Sequence, residues 1–281
     1  MGQLENSTTW RRLWQWFVEP LRRAEEEARA YRASSAGQRF DVKTLSILLL
    51  TAVSLLLLHF LSFGDGYLYA ADFLAWLGFE NLAETFSARM QDHSLDRLSW
   101  WTAVCVATYF VLPALLLRLG LRERLRDYGL KPHGALAGWP FYAVMLAIMV
   151  PLVAWMSSTA HFQQTYPFYR PTSEETLWPT FWRWEALYAV QFVALEFFFR
   201  GFLLHGIRHR FGAYCIPVMV VPYCMIHFYK PMPEAFASIV AGLALGYMSL
   251  RTRSIWLGAA IHVTVAMSMD FASLWRQGQF G

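Results

Sequence analysis

Two ionisable residues, Glu196 and Arg200, lie within a segment from Trp184 to Phe211 that is apolar enough to cross a bilayer. An ionisable side chain near the centre of a bilayer costs about 2.5–3.5 kcal/mol on insertion scales, so each of the two requires a compensating interaction. Their i, i+4 spacing puts them on one face of a helix, where they can pair with each other. The pair is therefore either a neutralised packing contact or part of a functional site, and other polar residues must decide between the two.

Two histidines, His227 and His262, lie in later apolar segments. If these segments are membrane-spanning helices, a rise of about 1.5 Å per residue places Glu196 and His262 roughly 14 Å, and His227 roughly 21 Å, from the cytoplasmic ends. One carboxylate and two imidazoles at similar depth can deprotonate a water molecule and stabilise the oxyanion of a scissile carbonyl. The same three side chains are also a possible zinc ligand set. Both chemistries predict hydrolysis of a bond that enters the membrane.

The composition indicates which class of protein positions these residues. The chain of 281 residues is 56% hydrophobic and 17% aromatic, with a mean hydropathy of +0.30. Its long apolar runs are typical of a membrane protein, and we expect an all-α fold, a polytopic transmembrane helical bundle of about 7–8 helices. The net charge of +4 arises from Lys and Arg clustered between apolar runs, which suits a membrane surface and not nucleic acid.

The predicted spans divide the chain into three parts. Residues 1–43 are predicted as a cytoplasmic amphipathic arm, 44–98 as a first span with an outer interfacial segment, and 99–281 as the core that carries the ionisable residues. The apolar segment 67–79 is too short to cross and is predicted as an interfacial helix; if it does cross, there are eight spans. The seven predicted spans are 44–63, 99–119, 137–156, 183–205, 214–230, 234–250 and 254–274.

Lys and Arg are concentrated on one side of these spans, with eight in the arm and five after the second span. By the positive-inside rule, this side is cytoplasmic. We therefore expect an integral membrane protein of the bacterial inner membrane, with its N-terminus in the cytoplasm. The expected partners are the lipid bilayer and a membrane-tethered peptide or protein substrate, and no nucleic acid.

Three motifs carry a resemblance to a known family. LEFFFRG at 195–201, YCMIHF at 223–228 and the late His262 resemble the motifs of the CPBP family, the CAAX-protease and bacteriocin-processing membrane endopeptidases. The family pattern is Glu-Glu-x-x-x-Arg, then an aromatic residue four before His, then His followed four later by Asn or Asp. The resemblance implies a glutamate-type intramembrane cleavage in which His227 activates water, His262 binds the oxyanion and Arg200 supports the site.

Two positions depart from the family pattern. Leu195 replaces the first Glu, so Glu196 matches the second, about 100° away around the helix, and acts as the base if the helix is rotated or locally unwound. Ala266 stands where the family has Asn or Asp, and Asp270 lies a further turn along. Glu185, eleven residues before Glu196 and on nearly the same face, is a second candidate carboxylate.

The leading hypothesis is an intramembrane endopeptidase that cleaves a membrane-tethered substrate, such as a CAAX-type tail, a leader peptide or a C-terminal sorting segment. Its predicted catalytic residues are Glu196, His227 and His262, with Arg200 orienting Glu196. No cofactor is expected; if zinc were bound, the carboxylate and the two histidines would be its ligands. The alternatives are a catalytically lapsed scaffold that binds another transmembrane helix, which the two departures favour, and a proton-coupled transporter, against which the lack of an inverted repeat argues.

Overall fold

The computed structural model describes residues 2–132, 136, 138–171 and 176–279, and every regular element in these ranges is a helix. The predicted all-α fold is therefore confirmed. Segments of π-helix follow α5, α6 and α9 directly, at Ala107–Val111, Leu116–Gly120 and Phe197–Leu203. The α-helices are α1 (Gly2–Ala33), α2 (Val42–Ser62), α3 (Leu68–Trp76), α4 (Glu80–Ala88), α5 (Leu95–Val106), α6 (Leu112–Leu115), α7 (Trp139–Met156), α8 (Ala160–Thr165), α9 (Leu177–Glu196), α10 (Leu204–Phe211), α11 (Cys215–Met225), α12 (Met232–Thr252) and α13 (Trp256–Arg276).

Six helical segments among the described residues are long and apolar enough to cross a membrane. Five of them coincide with predicted spans, and the sixth, Leu177–Met225, is 49 residues long and contains most of both predicted spans 183–205 and 214–230. Its helical geometry is interrupted at Gly212, where φ is +57°, a value that glycine adopts without steric cost. The short helix predicted at 67–79 corresponds to α3. The chain is thus a polytopic integral membrane protein.

The chain divides into two compact units, each made of three segments. The first unit comprises Met1–Leu49, Glu123–Ala137 and Phe199–Ile255, and the second comprises Leu50–Arg122, Gly138–Phe198 and Trp256–Gly281. The three predicted parts, with boundaries at residues 43 and 98, follow the order of the spans along the chain and are a different division from these two units. That three-part division stays a prediction. Of the four predicted catalytic residues, Glu196 and His262 belong to the second unit, and Arg200 and His227 belong to the first.

In the first unit, the N-terminal helix α1 is attached to α10 by charged and polar contacts. Arg208 Nη2 lies 2.9 Å from Glu27 Oε2, and Arg32 Nη1 donates a hydrogen bond of 2.7 Å to the carbonyl oxygen of Arg210. Ala28, on the same helix, is completely buried. These contacts give the predicted amphipathic arm a specific packing partner within its own unit.

The core of the second unit is largely aromatic. Phe181, Trp184 and Tyr188 of α9 are buried in one cluster, together with Tyr169, Ala266 and Leu274. The three α9 residues recur at intervals of three and four, which places them on one helical face. In this unit α9 packs against both α5 and α13, so its position and rotation are fixed from two sides.

Candidate active site

The second unit brings Glu196 and His262 into direct contact. Glu196 is the last residue of α9 and only 1% exposed, and its Oε1 lies 2.7 Å from Nδ1 of His262 on α13. The side chain of His262 keeps 16% exposure. A carboxylate at Nδ1 holds the imidazole in one orientation. Two of the four predicted catalytic residues therefore form a carboxylate–imidazole pair in which the carboxylate is buried and the imidazole is partly exposed.

The backbone changes from α-helical to π-helical geometry immediately after Glu196, over Phe197–Leu203. A π-helical turn closes i→i+5 hydrogen bonds, so the residues beyond it are displaced around the helix axis relative to a continuous α-helix, and such turns are frequent at functional sites. The sequence indicated that Glu196 can replace the missing first Glu only if the helix is rotated or locally unwound. The helix departs from α geometry one residue later, at Phe197.

The two positions that depart from the family pattern are both buried. Leu195 is 6% exposed, and Ala266 packs in the aromatic cluster with Trp184 and Tyr188. A carboxyl or amide group at either position would lose its hydration and would need a new hydrogen-bond partner. The packing of the second unit thus accommodates the apolar residues that stand at these two positions.

The first unit places Arg200 and His227 around Tyr223. The guanidinium carbon of Arg200 lies 4.0 Å from the centroid of the Tyr223 ring, and Arg200 is completely buried. The His227 ring meets the same ring edge-on at 4.8 Å, and its Nδ1 lies 2.8 Å from the Tyr223 carbonyl oxygen. Because a carbonyl only accepts hydrogen bonds, Nδ1 carries the proton and the neutral ring keeps its lone pair on Nε2. This tautomer is the one that the predicted water-activating role requires.

We expect Tyr223→Leu to destabilise the protein by about 2 kcal/mol or more, because a desolvated cation–π contact with Arg200 is lost. Tyr223→Phe keeps the ring and is expected to unfold close to the wild-type temperature. Thermal unfolding of the purified protein in detergent measures both effects. Equal destabilisation by the two variants would show that the hydroxyl, and not the ring, carries the contribution of this residue.

Asp270, which the sequence placed one turn beyond Ala266, joins α13 to α9. It is completely buried, and its Oδ2 accepts a hydrogen bond of 2.8 Å from the indole Nε1 of Trp184. Glu185, the second candidate carboxylate, follows Trp184 directly and is also buried. Asp270 therefore fixes the register of the two helices that carry Glu196 and His262.

We expect Asp270→Ala to lower the free energy of unfolding by about 1–3 kcal/mol, because the buried indole N–H of Trp184 loses its acceptor. Asp270→Asn retains an acceptor oxygen and is expected to lose less. Unfolding followed by tryptophan fluorescence provides the measurement. A larger loss in the Asn variant than in the Ala variant would contradict the role of this hydrogen bond.

A metal centre is not evident from the arrangement of the side chains. Among the described ranges, no group of three or more His, Cys, Asp or Glu residues is placed so that it could hold a metal ion. The expectation that the protein works without a cofactor stays a prediction, and treatment with a chelator tests it directly.

Two features around the Glu196–His262 pair were not predicted: the hydrogen bond between Trp184 and Asp270, and the stacking of Phe192 on His262. One signal for them is present in the sequence. Residues 184, 188, 192 and 196 follow one another at intervals of four, so three aromatic residues lead along one helical face towards Glu196. The sequence does not say which helix faces them.

The comparisons with known proteins agree with the motifs. Residues 175–268 match the family model described as "Type II CAAX prenyl endopeptidase Rce1-like". This region contains the three motifs and the four predicted catalytic residues. No curated protein and no solved structure matches the chain. The resemblance to the CAAX-protease family is thereby confirmed for residues 175–268, and it supports a membrane-embedded peptidase in general terms.

Proposed function

We propose that the protein is an intramembrane endopeptidase that cleaves a membrane-tethered peptide or protein. The observation that carries the proposal is the buried 2.7 Å contact between Glu196 Oε1 and His262 Nδ1, within the region matched to a family of CAAX prenyl endopeptidases. A prenylated CAAX-type tail is the substrate that the family description favours. A leader peptide and a C-terminal sorting segment are the other candidates.

In the proposed mechanism, His262 is the general base. The mechanism places the ring proton on Nδ1, which lies 2.7 Å from Glu196 Oε1, so that the neutral ring keeps its lone pair on Nε2. Nε2 takes a proton from a water molecule while the water oxygen attacks the scissile carbonyl carbon. The imidazolium then gives this proton to the leaving amine as the C–N bond breaks, and one peptide bond and one water become a carboxyl and an amine. Glu196 stabilises the imidazolium that forms between the two steps.

The resemblance gives a different division of roles, with His227 activating water and His262 binding the oxyanion. The pH dependence of kcat/KM separates the two assignments. If His262 is the base, cleavage falls as the pH drops and its ring is protonated. If a protonated His262 donates to the oxyanion while His227 is the base, cleavage also falls as the pH rises and the His262 ring loses its proton. An alkaline limb that disappears in His262→Gln would support the oxyanion role.

The proposal is tested with purified protein in proteoliposomes and a panel of peptides: a prenylated tail, its unprenylated form, a leader peptide and a sorting helix. Wild-type cleavage is expected to fall by about 100-fold or more in His262→Ala, because a general base is lost. The exposed His161 of the same unit provides the matched control, His161→Ala. Undiminished cleavage by His262→Ala would refute the mechanism, and loss of cleavage on adding a strong chelator would indicate a metal site.

A catalytically lapsed scaffold that binds another transmembrane helix is the second candidate. Leu195 and Ala266 favour it, because they lack the carboxyl and amide groups of the family pattern. The same peptide panel distinguishes the two functions. A scaffold binds a peptide without cleaving it, and photo-crosslinking or co-purification detects this binding. His262→Ala is expected to leave the binding unchanged.

We also propose that the N-terminus faces the cytoplasm of a bacterial cell, from the eight basic residues of the arm. Reporter fusions placed after Arg39 and after Arg276 test the orientation. A fluorescent protein that matures only in the cytoplasm is expected to be bright at the first position. Alkaline phosphatase, which is active only outside, is expected to be active at the second. The reverse pattern would contradict the orientation.

A further inference from the structure

An aromatic ring stacks on the imidazole of His262. The centroid of the Phe192 ring lies 5.3 Å from that of His262, and the two ring planes differ by 21°. Phe192 lies one turn before Glu196 on α9. The same helix therefore contacts His262 twice, with a carboxylate at Nδ1 and a phenyl ring on the face. The carboxylate constrains where Nδ1 lies, and the phenyl ring lies against the imidazole face and limits its tilt.

Phe192 is held in place by a series of aromatic rings on α9, and each end of this series contacts a residue of α13. Its ring lies 4.7 Å from that of Tyr188, which in turn stacks on Trp184 at 4.6 Å. Trp184 donates its indole N–H to Asp270 at 2.8 Å. Because Asp270 and His262 both belong to α13, the series joins α9 to α13 at both of its ends, and a shift of Phe192 would require the whole series to move.

We propose that Phe192 is a positioning residue that fixes the plane of the His262 imidazole. With Nδ1 on Glu196 and the ring face on Phe192, the direction of Nε2 is determined by α9. Phe192 contacts no reacting atom and acts through His262, so its effect on cleavage rests on the proposed function. An aliphatic side chain of similar size fills the space but has no flat face to stack on the ring.

Phe192→Leu is expected to lower kcat by about 10- to 100-fold with little change in KM, because the base is misaligned while substrate binding is retained. Phe192→Tyr keeps the ring and is expected to recover most of the activity. The matched control is Phe181→Leu, the same change at a completely buried core residue that contacts Trp182 and Phe271. This control is expected to reduce thermal stability at least as much as Phe192→Leu, and kcat much less.

A second readout does not depend on cleavage. In protein with isotope-labelled histidine in nanodiscs, the ring signals of His262 are identified by their absence in His262→Gln. A stacked phenyl ring shifts them upfield, so Phe192→Leu is expected to move them downfield. Phe192→Tyr and Phe181→Leu are expected to leave them in place.

The outcomes separate this proposal from the proposed function. Signals that stay in place in Phe192→Leu would overturn the positioning role, as would an unchanged kcat in an otherwise active protein. If the wild type cleaves no peptide of the panel, the proposed function fails. The ring signals then decide alone: a downfield shift supports the positioning of His262 by Phe192, and unchanged signals overturn it.

Discussion

Glu196→Gln is expected to lower kcat for cleavage of a membrane-tethered peptide by about 100-fold or more, with little change in KM. Glutamine has the size of glutamate, so the packing at this buried position is preserved. Its neutral amide does not stabilise an imidazolium, and its NH₂ group can turn towards Nδ1 and favour the wrong tautomer of His262. Single-turnover cleavage in proteoliposomes measures the chemical step without product release.

Two further variants make this result specific. Glu234→Gln removes a carboxylate that lies 3.7 Å from the ammonium group of Lys230, four residues earlier, and it is expected to cleave like the wild type. Glu185→Gln tests the other carboxylate that the sequence offered. A loss there as large as in Glu196→Gln would assign catalysis to both carboxylates, and full activity of Glu196→Gln would exclude Glu196 from the mechanism.

Leu195→Glu, which restores the paired glutamates of the family, is expected to destabilise the protein by about 2–5 kcal/mol without raising its activity. Leu195 is buried at the end of α9, and a carboxylate there would lose its hydration while Glu196 already occupies Nδ1 of His262. Thermal unfolding and peptide cleavage are measured on the same preparation.

The control for this substitution is Leu195→Met, a change of shape at nearly constant volume that is expected to cost less than about 1.5 kcal/mol. The scaffold hypothesis makes the opposite prediction for Leu195→Glu. A silent parent that gains strong hydrolysis on this single change would be a lapsed enzyme, and Glu196 would then not be a substitute for the missing residue.

The sequence alone establishes that the chain is a helical membrane protein and which residues are candidates for catalysis. Runs of about 20 apolar residues have few stable alternatives to membrane-spanning helices, because backbone polar groups in lipid must be satisfied within the segment. The described helices accordingly coincide with the predicted spans, two of which share one long helical segment. Glu196, Arg200, His227 and His262 stand out for the same reason, since ionisable side chains in such segments are costly and seldom occur without a partner.

The partner of each of these residues is decided by the tertiary structure. Residue counting placed Glu196 and His262 at equal depth, but depth is a coordinate along one axis and leaves the rotation and the neighbours of a helix open. The packing of α9 on α13 determines that the carboxylate meets Nδ1 of His262. The stacking of Phe192 on that ring, and the hydrogen bond that ties Trp184 to Asp270, depend on the same register. Side-chain contacts between helices distant in sequence arise from packing, which a linear pattern of apolar and polar residues does not specify.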